Sequence, residues 1–348
     1  VVSGYVNHEL NRWRDNLDRS RYYMATGLAQ GNGTFGMVAL NTLFLREHNK
    51  ICEDLARKNP LWRDEQLFQT ARMIVTLLEI KIVVEEYINH ISAAPDGDDP
   101  IKPRQRVFKF DNSFAEQQRW YRTNHIALEF DLLYRWHCFV PKRIRLQNEK
   151  ETEKEYALSE FINYNDPLIN SGLDGVLIAA SKQRINAPGL FSTPDELLGA
   201  EYAALKMSRD FRLQPYNEYR AAFGLQPMTE FHDLRASKEV TERLKDIYEE
   251  DINKLDFLVG LYAERASETR LFGDLMTRMV AYDAFTQVLT NPLVSKNILT
   301  KKTITEVGIE RLKNTNSLND IWQRNKDASP KIGDDLQTIS MDINGQQA

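Results

Sequence analysis

The run Tyr134-Arg135-Trp136-His137 combines the residue types best suited to redox chemistry. On a helix, residues three apart share a face, with Cβ atoms roughly 5–6 Å apart. Tyr134 and His137 are therefore expected to point the same way. A neutral imidazole is a good iron ligand. A phenol on the same face can be oxidised by an activated iron centre and then hold a radical. On spacing alone the commoner reading is an aromatic patch on a core helix, because Tyr-x-x-His is a weak pattern. His8, His90, His125 and His232 have no such context and receive no role. Cys52 and Cys138 sit in no metal-type spacing and read as buried thiols.

The elements that must position these residues read mainly as helix. The chain has 348 residues, 42% hydrophobic and 27% charged. That is a globular composition, long enough to bury a core and enclose a cofactor. A net charge of −5 gives no reason to expect nucleic acid. The most apolar segment, from Met73 to Ile91, is broken by Glu79, Lys81, Glu85 and Glu86, so it is not expected to span a membrane. No signal peptide is visible. Helices are expected from about Gly36 to Leu55, closed by Asn59-Pro60, and from about Asp64 to Ile91. Another is expected from about Phe114 to Trp136, with Pro141 breaking the pattern. Thr193-Pro194-Asp195-Glu196 reads as a capped start for a helix ending near Phe211. Further helices are expected over Lys238 to Glu250 and Phe272 to Leu289. Ala94 to Pro103 reads as loop, and the residues after Ser329 as a polar tail. Alternating strands are scarce. The fold class is all-α, a large mainly helical domain over residues 1–330 followed by a tail over 331–348.

Longer motifs narrow the reading. Leu45-Arg46-Glu47-His48-Asn49 followed by Cys52 resembles the signature helix of the animal haem peroxidase superfamily. Asn59-Pro60, Trp62 and Asp64 to Arg72 resemble the cyclooxygenases in particular, as do Ile80 to Val83 and Glu85-Glu86-Tyr87. Ile126-Ala127 and Glu129-Phe130 lead into the Tyr-x-Trp-His motif. Asn217-Glu218-Tyr219-Arg220, Phe223, Pro227, Phe272-Gly273 and Asn291-Pro292 follow in order. The resemblance runs from about Phe35 to Ser295, and the Tyr-Arg-Trp-His form is also similar to fungal linoleate diol synthases. It implies a haem cofactor with His137 as the iron ligand and Tyr134 as the radical that takes hydrogen from an unsaturated fatty acid. Tyr87 is implied as a tyrosine hydrogen-bonded to Tyr134. Ile88, Ile91, Ser92, Phe130, Leu133 and Trp136 are implied to line an acyl channel, for which plain core packing is the equal alternative. His48 reads as a buried structural histidine.

The chain also departs from that family. No Gln four residues before a His precedes the Leu45–Asn49 motif, which points to distal haem residues lying upstream and to an N-terminally truncated chain. Arg278 stands where cyclooxygenases have a glutamate at the channel mouth, and it either pairs with a substrate carboxylate or is a surface arginine. Val280 replaces a glycine, which narrows the slot, and Ala284 replaces a serine, which removes a hydroxyl. Ala94 replaces a channel-mouth tyrosine. Leu258 replaces a tyrosine behind the iron-ligating histidine, which removes a polar partner of His137. The expected activity is haem-dependent addition of O2 to an unsaturated fatty acid, giving a hydroperoxide or an endoperoxide. The alternatives are a peroxidase without fatty-acid oxygenation and a haem-free helical interaction module. A cytoplasmic or peripheral membrane location is expected. Homodimerisation, and membrane contact through an upstream segment, stay open.

Overall fold

The computed structural model describes residues 24–27, 29–88, 91, 126–147, 153–183, 185–186, 188–266 and 271–326. Its helices are α1 (Phe35–Lys58), α2 (Asp64–Ile82), α3 (Leu128–Leu133), α4 (Asp166–Lys182), α5 (Leu198–Asp210) and α6 (Tyr216–Ala222). They continue with α7 (Lys238–Ile247), α8 (Phe257–Ala263), α9 (Asp274–Leu289), α10 (Lys301–Lys313) and α11 (Leu318–Asn325). Two strands, β1 (Arg143–Gln147) and β2 (Glu153–Ala157), pair antiparallel with Ile144 opposite Tyr156. The mainly helical expectation holds. The hairpin is formed by a charged stretch that carries little strand pattern. Arg143 and Arg145 both reach Glu155 across the ladder, at 3.1 and 3.3 Å, while Leu146 is buried from the other face. The expected loop at 94–103 and the tail lie outside the described residues.

The chain divides into two compact units. One comprises Val1–Tyr87, Lys142–Gln183 and Asn297–Asp342, and the other Ile88–Pro141, Arg184–Lys296 and Ile343–Ala348. In the first unit α1 begins at Thr34, whose hydroxyl accepts from the Met37 amide, and ends at Asn59, whose side-chain amide donates to the Leu55 carbonyl. Its buried positions Phe35, Val38, Ala39, Leu43, Ile51 and Leu55 recur at helical spacing and face α2, α4 and α11. The second expected helix is interrupted by a π turn, and Ile88 and Ile91 beyond it are again helical. α2 ends at Ile82 and widens into a π turn over Val83–Tyr87. α4 is kinked at Gly172 (φ +69°), a left-handed backbone that a residue with a Cβ adopts only at a cost.

Buried charge ties the ends of this unit together. Glu47 lies in the buried stripe of α1 and is fully inaccessible to solvent. Arg324 donates to its Oε1 at 2.8 Å, Arg311 reaches the same oxygen at 3.4 Å, and the Asn325 amide donates to Oε2. Lys81 is likewise buried and donates to the carbonyls of Leu312 and Thr315. The Leu318 amide donates to Glu86 at 2.7 Å. These bonds join α1 and α2 to the C-terminal helices far along the chain. Removing one member of such a set strands the others in a medium of low dielectric. A Glu47→Ala variant is expected to lose about 3 kcal/mol of stability, read as a lower midpoint of urea unfolding by circular dichroism; a midpoint equal to the native one contradicts it.

Candidate haem-ligand and tyrosine site

The site lies in the second unit, on the segment that leaves α3. Of the helix expected from about Phe114 to Trp136, residues 114–125 lie outside the described residues, and the described part stops short of Trp136. α3 ends at Leu133, Tyr134 is its cap, and His137 opens a separate 3-10 turn over His137–Phe139. Tyr134 and His137 therefore do not share a helical face, which corrects the argument from spacing. A continued helix would drive the Pro141 ring into the His137 carbonyl four residues earlier. The tertiary structure also supplies partners for the freed backbone. The Tyr262 hydroxyl of α8 donates to the Leu133 carbonyl at 3.2 Å. The Asn186 amide and side chain donate to the Phe139 and Val140 carbonyls at 3.3 and 2.9 Å. Arg135 folds back to Asp131 at 2.8 Å.

α8 and α9 pack on α3, and α5 and α6 pack on α8. The Asn217–Arg220 motif makes these placements. The Tyr219 hydroxyl donates to Glu129 of α3 at 2.9 Å. Arg220 and Glu264 form a buried pair at 2.6 Å, and Glu264 also accepts from the Leu275 amide at the start of α9. Gly260 lets the α8 backbone meet Tyr216, whose ring would be 2.3 Å from any Cβ there.

An aromatic array surrounds Tyr134. Its ring centroid is 4.9 Å from Phe130 and 4.1 Å from Trp136. Trp136 in turn lies 4.6 Å from Phe272 and 5.8 Å from Phe139. The Trp136 indole nitrogen is buried and has no hydrogen-bond partner among the described residues. Leu133 and Val280 are buried, and Ala284 is half-buried. Thus Phe130, Leu133, Tyr134, Trp136 and His137 come together on one segment, with α9 carrying Val280 and Ala284 packed on α3. Arg278 is exposed and donates to the Phe223 carbonyl at 2.8 Å. Ile88 and Ile91 are buried, and Ser92 lies outside the described residues. Tyr87 is half-buried at the end of the π turn and belongs to the first unit. His48 is half-buried, not buried, with Nε2 3.2 Å from the Phe68 carbonyl oxygen and its ring against Phe68, a packing role.

His137 has a partner that sequence did not reveal. Its Nδ1–H donates to Glu201 Oε1 of α5 at 3.0 Å across 64 positions of sequence. The Thr193 hydroxyl donates to the same oxygen at 3.4 Å, so Thr193 meets Glu201 where a helix cap was expected. The first turn is a 3-10 segment, Asp195–Leu197, and α5 follows it. Leu258 is buried, but the polar contact that its identity removes is present from a different helix. With Nδ1 engaged, Nε2 is the ring atom left to bind a metal. Among the described residues no group of three or more His, Cys, Asp or Glu side chains could hold a free metal ion. One imidazole suffices where a macrocycle supplies the other donors, so the residues present fit a haem iron. The Phe272 and Tyr262 contacts were likewise invisible to spacing arguments.

The chain belongs to the animal haem peroxidase family, which its residues 6–336 match. It is 35% identical over 261 residues to mouse prostaglandin G/H synthase 1, covering 75% of this chain and 41% of that protein. Against chicken prostaglandin G/H synthase 2 it is 32% identical over 297 residues, covering 85% and 46%. The chain thus spans less than half the length of these relatives. Its fold is similar to that of rice (Oryza sativa) fatty acid alpha-dioxygenase, with a TM-score of 0.71 at 19% identity, covering 85% of this chain and 55% of the other.

Burial pushes the Cys138 thiol up to about 11, an effect that the Glu201 charge reinforces and a backbone hydrogen bond from Gly189 opposes. The thiol is therefore protonated at pH 8, and a protonated, buried thiol is a poor nucleophile. Iodoacetamide at pH 8 is expected to leave Cys138 unmodified in the folded protein and to alkylate it after unfolding in urea, as read by mass spectrometry; rapid native labelling contradicts this environment.

Proposed function

We propose that this chain carries the tyrosine and iron-ligand half of a haem-dependent dioxygenase that adds O2 to an unsaturated fatty acid. The observation that carries the reading is the placement of Tyr134 and His137 on one braced turn. His137 has Nδ1 engaged and Nε2 left for iron, and Tyr134 stacks on Phe130 and Trp136. His137 is the proposed ligand. A bound haem supplies the one-electron oxidation that first converts the Tyr134 phenol to a phenoxyl radical.

Tyr134 then does the work on substrate. The phenoxyl oxygen takes a hydrogen atom from a bis-allylic C–H, restoring the phenol and leaving a carbon radical. O2 adds to that carbon. The peroxyl radical takes the hydrogen atom back from Tyr134, so the fatty acid leaves as a hydroperoxide and the phenoxyl is regenerated. Phe130, Leu133, Trp136, Val280 and Ala284 are proposed to hold the acyl chain with the reacting carbon beside the phenol oxygen. Val280 narrows the space relative to glycine, which favours single oxygenation over ring closure. Ile88, Ile91 and Ser92 are proposed to extend the channel, with Arg278 at the mouth.

The test is oxygen uptake with linoleate by the haem-loaded full-length protein. Tyr134→Phe is expected to reduce uptake to the level of free haemin and to abolish the tyrosyl signal in electron paramagnetic resonance, while the haem absorption spectrum is retained. Native-level uptake by that variant contradicts the tyrosyl mechanism. Oxidation of small reductants by the native protein without linoleate oxygenation identifies a peroxidase instead.

A further inference from the structure

We infer that Glu201 is a positioning residue for the iron ligand: its carboxylate selects the Nδ1–H tautomer of His137 and makes the imidazole a stronger donor to iron. The inference rests on the haem reading above and goes beyond it, because it concerns how strongly the iron is held and at what potential it works.

The geometry is specific. The bond from His137 to Glu201 Oε1 is 3.0 Å long, within the ordinary range for N–H···O. Both side chains are about 30% accessible, so the contact is neither a loose surface pair nor a sealed core pair. The carboxylate is itself held. The Thr193 hydroxyl reaches the same oxygen from the loop before α5, and α5 packs against α8, which caps α3 through Tyr262. Glu201 therefore cannot swing away without disturbing two other contacts. An imidazole whose Nδ1–H donates to a carboxylate has its Nε2 lone pair free and enriched in electron density. A carboxylate acceptor makes a stronger hydrogen bond than a neutral hydroxyl or carbonyl.

Stronger donation favours the oxidised over the reduced iron, so the contact lowers the reduction potential of the bound haem. It also turns the ring so that Nε2 faces away from α5. Leu258 is buried and offers no polar atom. Glu201 supplies the interaction from α5 instead.

The test uses the full-length protein with haem bound, as native, Glu201→Gln, Glu201→Ala and His137→Ala forms. The readouts are the haem reduction potential and the iron–histidine stretching frequency in the ferrous state, with circular dichroism as the check of folding. Glu201→Ala is expected to raise the potential, lower the stretching frequency and weaken haem binding roughly 10–100-fold. Glu201→Gln keeps an acceptor without its charge and is expected to fall between Ala and native. It preserves the side-chain shape, so it decides the matter if the alanine variant fails to fold. Independently of haem, nitrogen-15 NMR of the apoprotein is expected to show His137 as the Nδ1–H tautomer. Native potential and frequency in folded Glu201→Gln and Glu201→Ala overturn the inference, as does an Nε2–H tautomer in the apoprotein. A haem spectrum unchanged in His137→Ala overturns the ligand assignment itself, a different result from any produced by the Glu201 variants.

Discussion

The end of α3 at Leu133 is the constraint on which the candidate site depends. A helix that ran on would present Tyr134 and His137 as successive residues of one stripe, with their backbone groups consumed by the helix. Ending it frees the carbonyls of Leu133, Phe139 and Val140, and buried carbonyls must find donors. Tyr262 and Asn186 provide them. Burial holds the Tyr262 phenol well above its usual range, with the Glu201 charge adding to the effect, so it is a dependable hydrogen-bond donor. The turn is rigid because other elements hold it, and the His137 ring and the Tyr134 ring inherit that rigidity.

The family motifs divide by role when set against these contacts. Most of them hold the scaffold. Glu47, in the Leu45–Asn49 motif, collects Arg311, Arg324 and Asn325 from helices more than 250 positions away. Asn217 exchanges two hydrogen bonds with the Met228 backbone, at 2.9 and 2.8 Å. Tyr219 and Arg220 tie α6 to α3 and to the start of α9 through Glu129 and Glu264. The Tyr134–His137 run differs in carrying a phenol and an imidazole three positions apart, and it is itself held by Phe130, Phe272 and Glu201. Motifs that brace a fold and a motif that acts within it are equally visible in sequence, and only their contacts separate them.

The acyl-chain reading and the packing reading are not exclusive for Phe130, Trp136 and Val280. An apolar slot is lined by the same residue types as a core, and Phe130 and Trp136 pack on Tyr134 under either reading. Val280 and Ala284 lie on α9, which packs on α3, so substitutions there leave Tyr134 and His137 themselves unchanged.

Sequence by itself determined the helical class, the family and the pair of residues most able to do redox chemistry. Those features rest on local pattern: periodic apolar positions in α1 and α2, acidic first turns, and motifs kept in order from Phe35 to Ser295. It misjudged the helix through Trp136, because propensity alone does not register that Tyr262 will take the Leu133 carbonyl. It did not show the hairpin from Arg143 to Ala157, because a short hairpin of charged residues is stabilised by pairing Arg143 and Arg145 with Glu155 and not by hydrophobic alternation. The partner of His137 was decided only in three dimensions. Leu258 suggested that no polar group stood behind the histidine, yet Glu201 reaches it from a helix 64 positions away. A hydrogen bond between distant segments leaves no periodic trace in either segment, and so the environment of the His137 imidazole belongs to the tertiary structure.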